Sequence, residues 1–446
     1  MVFRDLPRYD SLPVLIVGAG PAGCAAALAL RRRGRPVLLM DRARFPRDKV
    51  CGDVLLPEAV EILADLAGAT PPDEGARCLG LSYTGPSGRA FAGGFADRAG
   101  ARRSWRTVRR KVFDAWLLDR AREAGADVRE GVSVVDLRRD AAGAVCGVRI
   151  RDERGRESEM PGAAVIGADG ATSAVARAAA TPSGGLPASP APNRLAVAVR
   201  GYAEGPDLPV DMAEVHATAS TLPGCAWLVP VGGGLCNVGA GIVLADARRR
   251  GVEPRELLDR ACAESPELAR RLRTAELTGV RGWSLPLAGS RRLLAGAGWL
   301  VAGDAAGLID PLTGHGIHTA LASGRLAGER LAEALEAGDL SEQALRGYQR
   351  EVRRRWVRPV LWKYGLQRMQ ARPAFADLIG FAGAHSVVMR GFLTRLAGHV
   401  HAGAAVPGGL GSGFRRNDEV RGRHGEVRGR NDDVRIRSEG KMEVEP

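Results

Sequence analysis

A chain of 446 residues, 45% hydrophobic and 26% charged, is long enough for two or three domains whose cores need neither disulfides nor metal. The 64 Lys and Arg against 51 Asp and Glu leave a formal charge of +13, and since only Lys49, Lys111, Lys363 and Lys441 are lysines the excess is arginine. The arginine runs 31–33, 248–250 and 353–355 fall on predicted helix faces without interleaved aromatics, which speaks against a nucleic-acid module and for solvated surface. The seven cysteines form no CxxC pair and no Cys/His cluster with zinc spacing, so reduced thiols of a cytoplasmic protein are expected.

In chain order, Pro13 to Val17 is a short apolar strand, followed at once by Gly18-Ala19-Gly20-Pro21-Ala22-Gly23 and an alanine-rich helix to Leu30. A second buried strand, Val37 to Met40, ends at Asp41. Strand, GxGxxG, helix, strand and acid form the dinucleotide-binding unit of a Rossmann-type fold. Gly18 permits the sharp turn, Gly20 lets backbone approach a pyrophosphate, Gly23 lets helix and strand pack closely, and Asp41 is placed to accept from a ribose diol. The same glycines and Pro21 break the uncharged stretch Leu12 to Leu30, so it reads neither as a membrane span nor as a signal segment.

Leu79 to Phe91, around Gly85-Pro86-Ser87-Gly88, predicts a hairpin. Val108 to Ala124 predicts a helix carrying Arg110, Phe113 and Asp114, and Ala126 to Glu130 with Val134 to Ile150 predicts a small appended sheet. A strand Ala163 to Ile166 leads into Gly167-Ala168-Asp169-Gly170. The Pro-, Ser- and Gly-rich run Thr181 to Pro192 marks a domain crossing, after which Arg194 to Leu285 predicts a second sheet with one helix, Pro254 to Thr274. Trp299 to Ala302 returns the chain to the first domain, and Gly303-Asp304 precedes a long helix, Gly316 to Ala337. Further helices run to about Val400 and carry Trp356, Trp362, Tyr364, Phe375, Phe381 and Phe392, a lid or packing region. The tail 406–446 repeats NDEVRGR, GEVRGR and NDDVRIR with few apolar residues, and is expected to be disordered.

The fold class read from this order is α/β: a Rossmann-type nucleotide-binding domain with an inserted mixed or antiparallel-sheet substrate domain and C-terminal helices. The nucleotide domain takes residues 1–75, 108–185 and 286–338. The substrate domain takes the hairpin 76–107 and the sheet 186–285, with the helical region at 339–405.

Three motifs, Gly18 to Gly23, Asp169-Gly170 with Ser173 and Arg177, and Gly303-Asp304 with Pro311, Gly314 and Gly316, stand in the order found in the para-hydroxybenzoate-hydroxylase-like FAD-dependent oxidoreductase superfamily, over about three quarters of the chain. Within it the chain resembles the geranylgeranyl reductase family, through Lys49-Val50-Cys51-Gly52-Asp53 with Leu56 to Ala59, and Cys225-Ala226-Trp227-Leu228-Val229-Pro230 with Asn237-Val238-Gly239. That resemblance implies FAD as cofactor. It adds Ala22, Arg42, Arg110, Asp169, Asp304, Pro311, Gly314, Gly316 and Ile317 to the fingerprint residues that hold it, and makes Trp227 and Pro230 substrate contacts. A helix starting at Gly316 would direct its N-H groups and positive end at the flavin. Three departures, Cys225 for the family's tyrosine, Val229 for its second aromatic and His315 for its glutamate, leave the native substrate open.

The leading reading is reduction of a C=C bond in an isoprenoid or prenylated molecule, with NAD(P)H or another reductant as donor and His315 and Cys51 as candidate acids. A monooxygenase of secondary metabolism fits the same motifs, and a halogenase fits less well because a WxWxIP segment is absent. No second GxGxxG is present, so a nicotinamide cofactor would bind transiently. A hydrophobic small molecule is the expected partner, with peripheral membrane association and a reductase or ferredoxin partner as further expectations.

Overall fold

A computed structural model describes residues 12–96, 101–180, 190–289 and 292–398. The tail 406–446 and residues 181–189 of the expected crossing therefore lie outside the described residues.

Two sheets organise the molecule. The first has six strands in the order Ala295–Gly296, Trp299–Val301, Ala164–Gly167, Val14–Val17, Val37–Asp41 and Asp127–Glu130, parallel except at the Ala295–Gly296 edge. Its central strands are wholly buried, which explains their unbroken apolar runs. Asp127–Glu130 corrects one expectation: it is the sixth strand of this sheet, hydrogen-bonded to Val37–Asp41, and not part of the appended sheet. The appended sheet is Ser133–Arg139, Val145–Arg151 and Glu157–Pro161.

Helix Pro21–Arg32 follows the first strand and packs against the long helix Ile317–Glu336. Backbones meet there: a Cβ at Gly324 would stand 2.0 Å from the Ala22 carbonyl oxygen, and one at Gly328 2.6 Å from that of Ala26. Only small residues on both sides permit such an approach, so the run of alanines is a packing face. Helix Arg110–Glu123 buries Arg110, Phe113, Asp114, Leu117, Leu118 and Ala121, a stripe at helical spacing that aims two charged groups inward with the apolar ones.

The second sheet has seven strands, in the order Glu276–Pro286, Leu195–Glu204, Leu235–Val243, Cys225–Gly232, Met212–His216, Gly80–Thr84 and Ala90–Gly94. All pairs are antiparallel except Met212–His216 with Gly80–Thr84. The expected hairpin thus forms one edge of the second sheet. The single helix expected over Pro254 to Thr274 is instead a short turn, Pro254–Glu256, and two helices, Leu257–Glu264 and Pro266–Leu272, broken where the Ser265 hydroxyl accepts from Leu268 N-H and Pro266 begins the next helix. Helix Leu244–Arg250 was not anticipated.

After Ser341 caps the helix Glu342–Val352, the helices Pro373–His385 and Val387–Gly398 lie against the hairpin edge of the second sheet, while Lys363–Gln370 packs on the turn at Asp310 and Pro311. Tyr83 donates to the Ala376 carbonyl at 3.1 Å, Asp377 accepts from Ser87 N-H at 2.8 Å, and a Cβ at Gly380 would meet the Arg89 carbonyl at 2.4 Å. No described helix is long and apolar enough to cross a membrane.

Candidate functional site

A cavity of about 1730 Å³ runs between the two sheets and under the C-terminal helices. Its nucleotide end is built by the fingerprint. Gly18, at φ +98, turns so tightly that a Cβ would stand 2.4 Å from the Ala168 carbonyl oxygen. Asp41, at the C-terminal end of its strand, accepts from Ala19 N-H at 2.8 Å and Ala43 N-H at 2.9 Å, which fixes its carboxylate at the cavity wall. Gly20, Ala22, Arg42, Arg110, Asp169, Asp304, Gly314, Gly316 and Ile317 stand on the same wall. Gly23 does not: it packs against the Gly18 carbonyl, the closeness its place in the fingerprint requires.

Charge at this end is arranged in pairs. Arg110 donates twice to Asp114, to Oδ1 at 2.7 Å and to Oδ2 at 2.6 Å, and Arg47 adds a third bond at 2.6 Å. Although burial pushes Asp114 the other way, the two guanidiniums hold its carboxyl below the usual range. Lys49 donates to Asp304 at 2.9 Å. Burial pushes the Asp169 carboxyl up, while Ser173 Oγ-H and the N-H groups of Ala174 and Val175 donate to it, so Asp169 also caps the helix Ala174–Ala180.

These residues fit a flavin dinucleotide. A fixed carboxylate stands at the end of the second strand, the turn at Gly18 and Gly20 is bare of side chains, and the helix Ile317–Glu336 begins at the wall with Gly316 as its entry. The turn before that helix is held from below. Asp310 accepts from Leu312 N-H at 2.9 Å, Thr313 N-H at 3.1 Å and the buried Lys363 ammonium, and the Pro311 carbonyl accepts from Gln367 at 2.6 Å. Pro311 therefore shapes the turn from behind the wall.

His315 does face the cavity, edge-on to the Trp105 ring at 5.4 Å between centroids. Burial lowers its pKa to about 4 and, in the first turn of the following helix, that of His318 to about 3, so both rings are neutral near pH 7. Cys51 also stands on the wall, with its thiol beside the Arg110 guanidinium.

The opposite end of the cavity is apolar. Trp227 lies on this wall, and Gly239 opposite it in the neighbouring strand makes room, since a Cβ there would stand 2.4 Å from the indole. Tyr83, Phe91, Val215 and Leu222 continue the surface, and Phe375, Ile379, Phe392 and Leu393 of the C-terminal helices close it. Pro230 is not on the wall; it is buried in the sheet, where its carbonyl accepts from Thr107 at 2.7 Å.

A buried network joining the two ends escaped the sequence reading. Trp227 Nε1-H donates to Asn237 Oδ1 at 2.9 Å, and Asn237 Nδ2 donates to the Cys51 carbonyl at 2.6 Å and to Asp53 at 2.8 Å. Asp53 also accepts from Tyr202 at 2.8 Å and Arg110 N-H at 3.2 Å, and is the one non-glycine residue described with positive φ, +60. Burial pushes its carboxyl up. Arg200, fully buried, donates to Asp48 at 2.8 Å and the Lys49 carbonyl at 2.7 Å. The segment Asp48–Asp53 is thereby clamped to the second sheet, a strained backbone over-determined by its surroundings. Asp53 and Asn237 stood within the segments that carry the resemblance, but nothing in their spacing, 184 residues apart, pairs them.

Comparison with known proteins follows this geometry. Residues 11–361 match the FAD binding domain family. The digeranylgeranylglycerophospholipid reductase 2 of Methanopyrus kandleri is 34% identical over 346 residues, 75% of this chain and 81% of that protein. The menaquinone reductase of Mycobacterium tuberculosis is 33% identical over 349 residues, 74% of this chain and 78% of that protein. Among solved structures, a geranylgeranyl bacteriochlorophyll reductase-like protein from Thermoplasma acidophilum superposes with a TM-score of 0.74 at 26% identity, over 84% of this chain and 92% of that one. The flavin-dependent brominase Bmp2, at TM-score 0.66 and 21% identity over 87% of this chain and 93% of that one, shares the fold.

Proposed function

We propose that this chain, which belongs to the FAD binding domain family and is a FAD-dependent oxidoreductase similar to geranylgeranyl reductases, reduces a C=C bond in an isoprenoid chain or a prenylated molecule. The observation that carries the proposal is the continuity of the cavity: an apolar lobe walled by Trp227, Tyr83, Phe91 and the C-terminal helices opens without interruption onto the nucleotide wall at His315 and Gly316. An apolar chain buried in that lobe lies in contact with the site of electron transfer while water is excluded from both. The names of the relatives, reductases of digeranylgeranylglycerophospholipid and of menaquinone, support the same substrate class.

FAD, when bound, supplies the hydride equivalent of the reduction. The chain's own residues hold the dinucleotide through the Gly18 to Gly23 turn and Asp41, and offer the start of the helix Ile317–Glu336 to developing negative charge. Reduction also needs a proton at the second carbon. With its pKa near 4, His315 serves as a neutral hydrogen-bonding ring and not as an imidazolium acid, which leaves the Cys51 thiol as the expected donor. NAD(P)H is the proposed reductant, reaching the cavity transiently.

The test is anaerobic turnover of the purified flavoprotein with NADPH or dithionite and a prenylated quinone, followed by product mass. A gain of two hydrogens without oxygen supports the reductase; oxygen-dependent gain of one oxygen atom would replace it by a monooxygenase.

A further inference from the structure

Twelve large hydrophobic side chains are exposed among the described residues, and nine of them lie between Leu361 and Phe392. Scattered exposed apolar residues need no explanation, but a concentration on one helical region marks a contact surface. Its extreme is the corner between the last two helices, where Val387 and Val388 are 80% and 79% exposed. Phe381 and Leu378 on one side of that corner and Met389 and Phe392 on the other continue the apolar surface.

Three of these residues, Leu378, Met389 and Phe392, also line the cavity, so the exposed patch is the outer rim of the substrate lobe. Charge separates one occupant of this rim from others. From Lys363 to Gly398 the chain carries Lys363, Arg368, Arg372, Arg390 and Arg395 but a single acid, Asp377. Lys363 is buried on Asp310, and Asp377 accepts from Ser87 N-H. Arg390 ties down the Gly383 and Ala384 carbonyls, while Arg368, Arg372 and Arg395 are exposed. An apolar centre flanked by arginines and almost free of carboxylates matches a leaflet of acyl chains under anionic headgroups. The described helices are too short or too polar to cross a bilayer, so the contact would be interfacial.

We propose that the corner of helices Pro373–His385 and Val387–Gly398 docks on an anionic lipid bilayer and sets the apolar mouth of the cavity against the acyl chains. This goes beyond the proposed reaction and does not depend on it: docking requires no substrate, and a protein that failed to reduce an isoprenoid would still bind vesicles.

Flotation of the full-length flavoprotein with phosphatidylcholine vesicles, with and without phosphatidylglycerol, tests the proposal. The wild type is expected to float with the anionic vesicles. Val387→Asp with Val388→Asp is expected to reduce the bound fraction at least about tenfold with flavin absorbance and melting temperature unchanged, because both side chains are solvent-exposed in the free protein. Arg395→Glu is expected to weaken binding to anionic vesicles alone. The proposal is overturned if the wild type stays in the soluble fraction, if the double aspartate variant floats as the wild type does, or if its loss of binding coincides with conversion of a dimer to a monomer on size exclusion, which would assign the face to a second copy of the chain.

Discussion

Asp41 accepts two backbone N-H groups from the segments on either side of it, so its carboxylate is oriented before any ligand arrives. Asp41→Ala removes that acceptor and leaves both donors to be satisfied by water; FAD affinity is expected to fall by about ten- to a hundredfold, read by fluorescence titration of the apoprotein. Trp227 plays a different part. Its ring forms cavity wall while its N-H holds Asn237, which in turn holds the Cys51 carbonyl. Trp227→Ala should weaken substrate binding while FAD content stays intact, whereas Trp227→Phe keeps the wall and leaves Asn237 Oδ1 short of a donor, at about 1–3 kcal/mol in stability. Loss of FAD from both variants would show that Trp227 serves the nucleotide end instead. The role of Asn237 was not legible in the sequence, because hydrogen-bond partners this far apart in the chain are chosen by the docking of a loop on a sheet.

At the scale of elements, the nucleotide unit was legible because its function is local: strand, turn, helix and acid occupy 28 consecutive residues, 14–41, and each meets its neighbour through contacts along the chain. The crossing of helices Pro21–Arg32 and Ile317–Glu336 is not local, yet Gly324 and Gly328 tie it to single carbonyl oxygens. Gly324→Val is expected to force these helices apart and lower stability by about 3 kcal/mol or more, measured by urea unfolding, since the clash is with backbone and cannot be relieved by a rotamer change. The turn 310–316 depends on another long-range contact, the buried Lys363 on Asp310. Lys363→Met would leave the carboxylate buried without its cation, at a cost of about 3–5 kcal/mol, and should loosen FAD binding as the turn relaxes. The strand Asp127–Glu130 shows the converse: its pattern of exposed and half-buried residues suits either sheet, and only its pairing with Val37–Asp41 decides.

For the whole molecule, burial of two neutral histidines sets a dependence of stability on pH. His315 and His318 titrate near 6.5 when unfolded but only near 4 and 3 when folded, so across this interval the unfolded chain binds more protons. Stability is therefore fully present above pH 6.5 and is lost as pH falls through the folded values. His318 has both ring nitrogens buried with no hydrogen-bond partner among the described residues. His318→Leu is expected to flatten the decline of melting temperature between pH 6.5 and 4, and at pH 7 to leave it unchanged or raised; a decline as steep as that of the wild type would assign the dependence to other groups. By itself the sequence determined the nucleotide fold, its flavin motifs and the order of segments, because a short-range hydrophobic period and a glycine turn with its acid encode themselves within a few dozen residues. Only the tertiary structure decided that the C-terminal helices close the apolar lobe of the cavity, that Asp53 and Asn237 clamp the loop beneath it, and that His315 stays neutral. Burial and pairing across hundreds of residues are properties of the packed chain, and composition and spacing do not contain them.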